Sequence, residues 1–283
     1  MPEINSLTNV GQQGPSEVEV SIVTGTLNES GNIENFINSI ESTLSQIKSH
    51  EIIVVDDNSN DGTSELLGRI ALDNGDLRFI VNSGRLGLLN SNLQGIGMSR
   101  GKFIVVMDSD LQHPTHNVID VVNKLKSGSD IVICSRYTIG GSVGQRHPIR
   151  GMISRVAVFL ARLLIPGARH SSDPISGYFG FRRGMLLPKS ADGAFFKTLT
   201  LLLALNSDKK ITEVPYSFGK RTVGESKIVS RWDFSIDYIF ELILLRKIAM
   251  RHAHHSLNPY SSYADLPVKE VETHTELTPE ERI

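Results

Sequence analysis

Between Val18 and Ser135 the chain repeats one unit, a short β-forming run followed by an amphipathic helical stretch, and this alternation limits the fold more than any other feature. VEVSIVTGT (18–26) precedes a stripe of Ile33, Phe36, Ile37, Ile40 and Leu44 at helical spacing. EIIVVDD (51–57) precedes a helix carrying Leu66, Leu67 and Ile70, and LRFIV (77–81) precedes a helix over 88–99. GKFIVVMDSD (101–110) leads into 118–126, and SDIVICS (129–135) is a fifth strand. Strands that are apolar throughout, alternating with helices, predict an α/β fold: a mostly parallel central sheet with helices on both faces. Ligands of such sheets bind beyond the carboxyl ends of the strands. Here those ends read Asn28-Glu29, Asp56-Asp57 and Asp108-Ser109-Asp110, an acidic set.

After Ser135 the alternation breaks down. A glycine-rich loop leads to a basic amphipathic helix at about 150–165, then come a strand in 176–183, a helix in 195–205, an edge strand over 211–218 and a last helix over 232–251. Residues 1–17 read as a flexible leader, 18–235 as the main domain, 236–251 as a packing or membrane-associated helix, and 252–283 as a flexible polar tail.

The net charge is −2, so any electrostatic role must come from how charge is distributed. Between Asp130 and Asp173 there is no acid and there are six arginines. Arg155 and Arg162 share a helical face, and Met152, Val156, Phe159, Leu160, Leu163 and Ile165 supply a broad apolar surface, a combination suited to an anionic membrane surface. Nucleic-acid binding is disfavoured, because no aromatic platform is evident and the acidic first half would oppose it. The single cysteine, Cys134, excludes an intramolecular disulfide and a cysteine metal cluster. With no signal-peptide pattern and no stretch of 18 uncharged apolar residues, a cytoplasmic protein peripherally attached to the cytoplasmic face of a membrane is expected.

Asp108 and Asp110, at i and i+2 after a strand, could turn both carboxylates toward one divalent ion. Taken with SIVTGTLNESGNI (21–33), EIIVVDDNSNDGT (51–63), GRLGLLNSNLQG (84–95), MDSDLQHP (107–114), SRYTIGG (135–141), SDPISGYFGFRR (172–183) and FGKRTVGESK (218–227), the ordered series resembles the GT-A glycosyltransferases of family 2. Within that family it resembles the dolichol-phosphate (polyprenyl-phosphate) mannose synthases and their glucose-transferring relatives. The resemblance implies transfer of mannose from GDP-mannose to dolichyl or another polyprenyl phosphate, with UDP-glucose as the alternative donor. Mg²⁺ or Mn²⁺ would be held by Asp108, Asp110 and Gln112. Thr26, Glu29 and Asp57 would form the donor-base pocket, with Asp56 behind them. Arg136, Arg150 and Arg221, with Ser154, would hold the acceptor phosphate. Lys227 would lie over the donor phosphates, and Asp173 and Ser176 would border the acceptor. Such relatives carry transmembrane segments or rely on a small membrane-anchor subunit. The family's usual Pro and Tyr are replaced by Gly25 and Leu27. A non-catalytic lipid-binding protein is the rival of a different class; it would need no intact Asp108, Asp110 and Gln112.

Phosphate as acceptor has a chemical corollary. A sugar hydroxyl benefits from a carboxylate base, whereas a phosphate monoester, with a second pKa near about 6, is already anionic at neutral pH. Holding two anions together is then the main task, and arginine suits it because its planar donors grip phosphate and remain charged.

Overall fold

The computed structural model describes residues 4–9, 18–144, 148–191, 197–219 and 234–256. Nine strands and seven helices are described within these segments. The main sheet has the order β4 (Leu77–Val81), β3 (His50–Asp56), β2 (Val20–Thr26), β5 (Phe103–Val106), β7 (Phe179–Arg182), β6 (Ile131–Ser135) and β9 (Ile211–Pro215). All neighbours are parallel except β7, which runs antiparallel to both β5 and β6. This is the mostly parallel, doubly covered sheet that the alternating elements predict, consistent with the GT-A fold that the resemblance implies.

The continuous apolar runs divide by parity. Ile22, Ile52, Val54, Val105, Val132 and Cys134 face one layer, formed by α1 (Ile33–Leu44), α2 (Thr63–Asp73) and α4 (Asn117–Lys126). Val23, Ile53, Val55, Ile104, Val106, Ile131 and Ile133 face the other, formed by α3 (Leu88–Met98), α5 (Pro148–Leu164), α6 (Thr198–Leu205) and α7 (Phe234–Ser256). A strand covered on both sides must be apolar at odd and even positions alike, which is why no polar alternation shows in the sequence. On β7 the alternation does survive: Phe179 and Phe181 fill one layer, while Gly180 lets α4 come close on the other. A Cβ at Gly180 would lie 2.4 Å from Val121 Cγ1.

Two features differ from the sequence reading. The leader contains a strand, β1 (Ile4–Asn9), paired antiparallel with β8 (Leu186–Ala191) in a separate two-stranded sheet. No apolar periodicity marks either strand; each is defined by the other's backbone, a partner more than 170 residues away in sequence. The last helix continues to Ser256, past the expected start of the polar tail, since polar residues such as His252 do not themselves end a helix. Residues 257–283 lie outside the described segments.

Candidate active site

The acidic half of the site comes from the loops that leave β2, β3 and β5. Thr26, buried at the end of β2, accepts the Asp57 amide on its carbonyl (2.9 Å), and its hydroxyl receives the Ser109 hydroxyl at 3.3 Å. The β2 and β3 loops are laced together. The Asn28 amide bonds Ser59 Oγ (2.8 Å), the Asn60 amide bonds Asn28 Oδ1 (2.9 Å), and the Glu29 amide bonds Thr63 Oγ1 (3.0 Å). Asn28 and Asn58 take positive φ, a conformation asparagine tolerates, so the chain turns sharply at both strand ends. Glu29 is largely buried and accepts Asn32 Nδ2 at 2.7 Å. Asp56 is fully buried beneath the loop, taking the Ser59 amide (3.2 Å) and the hydroxyls of Ser59 and Ser64.

Asp57 has a task the sequence did not disclose. Its carboxylate accepts the amides of Leu86 (2.7 Å) and Gly87 (2.9 Å) and the Asn82 side chain (3.3 Å). It therefore anchors the GRLG loop against β3. Asn92 on α3 accepts the Gly25 amide (3.1 Å) and donates to Thr198 Oγ1 (3.2 Å). A Cβ at Gly25 would lie 3.0 Å from both Leu88 Cδ1 and Ser91 Cβ, so α3 occupies the space that the family's usual residue would need.

β5 ends at Val106, and Asp108 and Asp110 lie in the bend that follows. The same-side placement expected from an extended backbone thus does not apply; a turn with Leu111 at φ 61° sets their positions instead. The Asp110 Oδ1 atom caps the turn by accepting the Gln112 amide (3.1 Å). Gln112 is joined to Gly219 by two bonds, its Nε2 to the Gly219 carbonyl (3.1 Å) and the Gly219 amide to its carbonyl (2.8 Å). The Asp108 side chain is 40% exposed, and Gly177 keeps the space beside it open: a Cβ there would lie 3.1 Å from Asp108 Oδ2. Oxygen donors from Asp108, Asp110 and Gln112, with that space kept clear, fit a hard divalent cation.

His113 was missed, although it closes the MDSDLQHP stretch. It is buried, its Nδ1 accepts the Asp108 amide (3.1 Å), and its Nε2 lies 3.8 Å from Asp108 Oδ2. It stacks on Tyr178 (5.1 Å) and meets the edges of Tyr216 (5.6 Å) and Phe218 (5.7 Å). An aromatic block thus fixes the orientation of the Asp108 backbone. Burial pushes the Tyr178 and Tyr216 hydroxyls well up, so neither is an acid at neutral pH.

The basic half begins where β6 ends. Arg136 donates Nε and Nη2 to Asp173 at 2.7 and 2.8 Å, and its amide joins at 3.2 Å. The guanidinium is 8% exposed and the carboxylate wholly buried. Burial opposes the charge on Arg136, but the hydrogen bonds and attraction of Asp173 outweigh it and raise its pKa further. The guanidinium also lies 5.4 Å from the Tyr137 ring centre and 6.0 Å from that of Phe218. Tyr137 Oη meets Ser154 Oγ at 2.9 Å, which draws α5 to the same corner. Arg136, Ser154 and Asp173 are therefore brought together, and Arg150 lies one helical turn before Ser154 on α5. Ser176 does not take the expected place at a substrate. It is buried, and its hydroxyl is used by the Cys134 carbonyl (2.8 Å) and by the amide (3.1 Å) and carbonyl (3.2 Å) of Tyr178. Arg221 and Lys227 lie outside the described residues.

A group of Glu41, His50 and Asp76 stands at the opposite end of the sheet. His50 and Asp56 bound β3, so six steps of about 3.3 Å separate that group from the acidic strand ends by roughly 20 Å. His50 is paired there with Glu41 at 2.9 Å. No helix among the described residues is long and apolar enough to cross a membrane.

Residues 21–187 match the model of glycosyl transferase family 2. The dolichol-phosphate mannosyltransferase of Pyrococcus furiosus is 34% identical over 227 residues, 80% of this chain and 64% of that protein, so the chain spans just under two thirds of that relative's length. The dolichol-phosphate mannosyltransferase of Saccharomyces cerevisiae is 33% identical over 221 residues, 75% of this chain and 81% of that one. Among solved structures, the glucosyl-3-phosphoglycerate synthase of Mycobacterium tuberculosis, in complex with Mn²⁺, UDP-glucose and phosphoglyceric acid, superposes with a TM-score of 0.56. It is 22% identical and covers 81% of this chain and 80% of its own.

Proposed function

The chain belongs to glycosyl transferase family 2, and on that premise we propose that it transfers mannose from GDP-mannose to dolichyl or another polyprenyl phosphate, with inversion at the anomeric carbon. The observation that carries this reading is the Arg136–Asp173 pair. Asp173 is the acid on the acceptor side, and both its oxygens are bound to a buried guanidinium. A carboxylate so placed orients a cation and is not a general base, which favours an acceptor that is already anionic. The kinship supports the same acceptor class, since two relatives at 33–34% identity are dolichol-phosphate mannosyltransferases.

In this reading Asp108, Asp110 and Gln112 hold Mg²⁺ or Mn²⁺, which offsets the charge of the donor diphosphate when bound. Glu29, Thr26 and the loop anchored by Asp57 receive the nucleoside. Arg136, with Arg150, Arg221 and Ser154, holds the acceptor phosphate, while Lys227 serves the donor phosphates. UDP-glucose is the second reading, favoured by the fold's likeness to a synthase whose complex contains UDP-glucose and a phosphorylated acid.

The lipid would be met by α5 and α7, which pack against each other and bring the Tyr238 hydroxyl onto the Ala157 carbonyl (3.3 Å). Met152, Val156, Phe159 and Leu163 are 52–64% exposed in one stripe on α5, beside Arg155 and Arg162. Phe240 and Met250 are likewise exposed on α7. Such a face fits an anionic membrane surface or a small anchor subunit. Co-sedimentation should be stronger with anionic than with neutral vesicles and should weaken as salt rises; indifference to both would remove the membrane role of these arginines.

The reaction itself is tested with GDP-mannose, UDP-glucose and UDP-N-acetylglucosamine, each with one polyprenyl phosphate and with or without chelator, followed by product mass. A mannosyl phosphate lipid formed only with metal is expected. No product from any donor would sink the proposal, and a glucosyl lipid would establish the second reading.

A further inference from the structure

We propose that Glu213 is a positioning residue for the Arg136–Asp173 pair, acting through the serines that its carboxylate binds. It lies on the edge strand β9, where it pairs in register with Ile133, and its carboxylate gathers three donors from the segment that carries Asp173. Oε1 accepts the Ser171 hydroxyl (2.8 Å) and the Ser172 amide (2.5 Å), and Oε2 accepts the Ser172 hydroxyl (2.7 Å).

Proton bookkeeping fixes the direction of each bond. Ser171 gives its proton to Glu213, so its oxygen is available to the Asp173 amide at 3.0 Å. Ser172 likewise gives its proton to Glu213, so in its 2.6 Å contact with Ser135 it must accept. The Ser135 oxygen then receives the amides of Tyr137 and Thr138, both at 3.1 Å. One carboxylate thereby terminates two chains of hydrogen bonds. The first holds the backbone of Asp173, and the second holds the turn bearing Arg136 and Tyr137. Both ends of the ion pair take their positions from the same anchor, which lies on β9, outside the loops that carry Arg136 and Asp173.

The charge matters as well as the shape. A carboxylate can accept all three donors. Glutamine would turn an NH₂ toward Ser172, whose oxygen already accepts from Ser135, and the Ser172 proton would lose its acceptor. Glu213→Gln should therefore loosen the pair partially and Glu213→Ala fully.

The proposal rests on the acceptor-phosphate reading for its catalytic consequence, but its geometric part is measured separately. The Arg136 Nε–H resonance, assigned in ¹H–¹⁵N spectra by its disappearance in Arg136→Lys, reports the pair directly. In Glu213→Ala, at a temperature where the full chain remains folded, its exchange with water should quicken by about tenfold or more, as expected when charge-assisted bonds open. Glu213→Gln should fall between this variant and wild type, and it supplies the measurement if the alanine variant does not fold. In transfer assays kcat/KM for the lipid phosphate should drop by about tenfold, while the donor KM stays within about twofold. Wild-type exchange and wild-type acceptor kcat/KM in a folded variant would overturn the proposal, as would an equal rise in both KM values. If wild type transfers to no lipid phosphate at all, the functional reading fails, and the Arg136 exchange rate still decides the role of Glu213.

Discussion

Replacing Asp173 by Asn should damage stability and acceptor use together, and the size of the damage follows from the geometry. The carboxylate is wholly buried, the guanidinium of Arg136 is 8% exposed, and three N–H groups converge on two oxygens. Asn keeps the shape but removes the negative charge and turns an NH₂ group toward a cation. Stranding one partner of a buried pair costs about 3–5 kcal/mol. At roughly 2–4 °C per kcal/mol for a chain of this size, Tm should fall by about 6–20 °C. The sign of the pH effect is fixed too. The folded pKa of Arg136 is raised, so its contribution is fully present below the unfolded value and is lost only above about pH 12. Differential scanning calorimetry should thus show the same deficit at pH 6 and pH 9. Adding Arg136→Met to Asp173→Asn should recover part of it, because the stranded charge is gone. A folded Asp173→Asn protein with Tm within about 1 °C of wild type and only turnover lost would refute this account and make Asp173 a general base.

Two further perturbations test the frame around the site. Gly180→Ala places a Cβ 2.4 Å from Val121 Cγ1, so urea unfolding should show a loss of about 1–3 kcal/mol that Val121→Ala partly reverses; no loss would mean that α4 is not pressed against β7. Burial acts to raise the pKa of Glu51, but hydrogen bonds from Ser21, the Arg100 amide, Arg78 and Arg100 together lower it. The associated stability is present above the ordinary glutamate pKa of about 4.3 and fades as pH falls through the lowered folded value, so Glu51→Gln should lower Tm at pH 7 yet flatten the acid limb; an acid limb unchanged in slope would assign it to other carboxylates.

The layered sheet was legible because its signal is local. The parity of apolar residues in EIIVVDD and FIVVMD, and the stripe on 33–44, are set by neighbours a few positions apart. The acidic strand ends were legible for the same reason. What the sequence concealed are partnerships across distance. Asp57 reads as one of several turn-forming acids, and only the folded chain carries the Leu86 and Gly87 amides onto it. The enclosure of His113 depends on Tyr178, Tyr216 and Phe218, far along the chain, which close around it only in the folded protein. Ser176 shows the converse: a serine in a functional-looking motif whose hydroxyl is consumed by backbone groups of its own neighbourhood.

The reversed direction of β7 bears on how such a chain can be recombined. Because β7 runs against its neighbours, the residues just before it, Asp173 to Gly177, arrive at the edge where the parallel strands leave. The described acidic half is complete by His113, and the described basic half is contributed from Ser135 onward. The two halves are therefore consecutive stretches of polypeptide rather than interleaved ones. A crossover between α4 and β6 would exchange the basic half between homologues while leaving the acidic half in its own sequence context. The seams to be matched include the β5–β7 and β1–β8 strand pairings, the close fit of Gly177 beside Asp108, the joint between Gln112 and Gly219, and the packing of Val121 on Gly180.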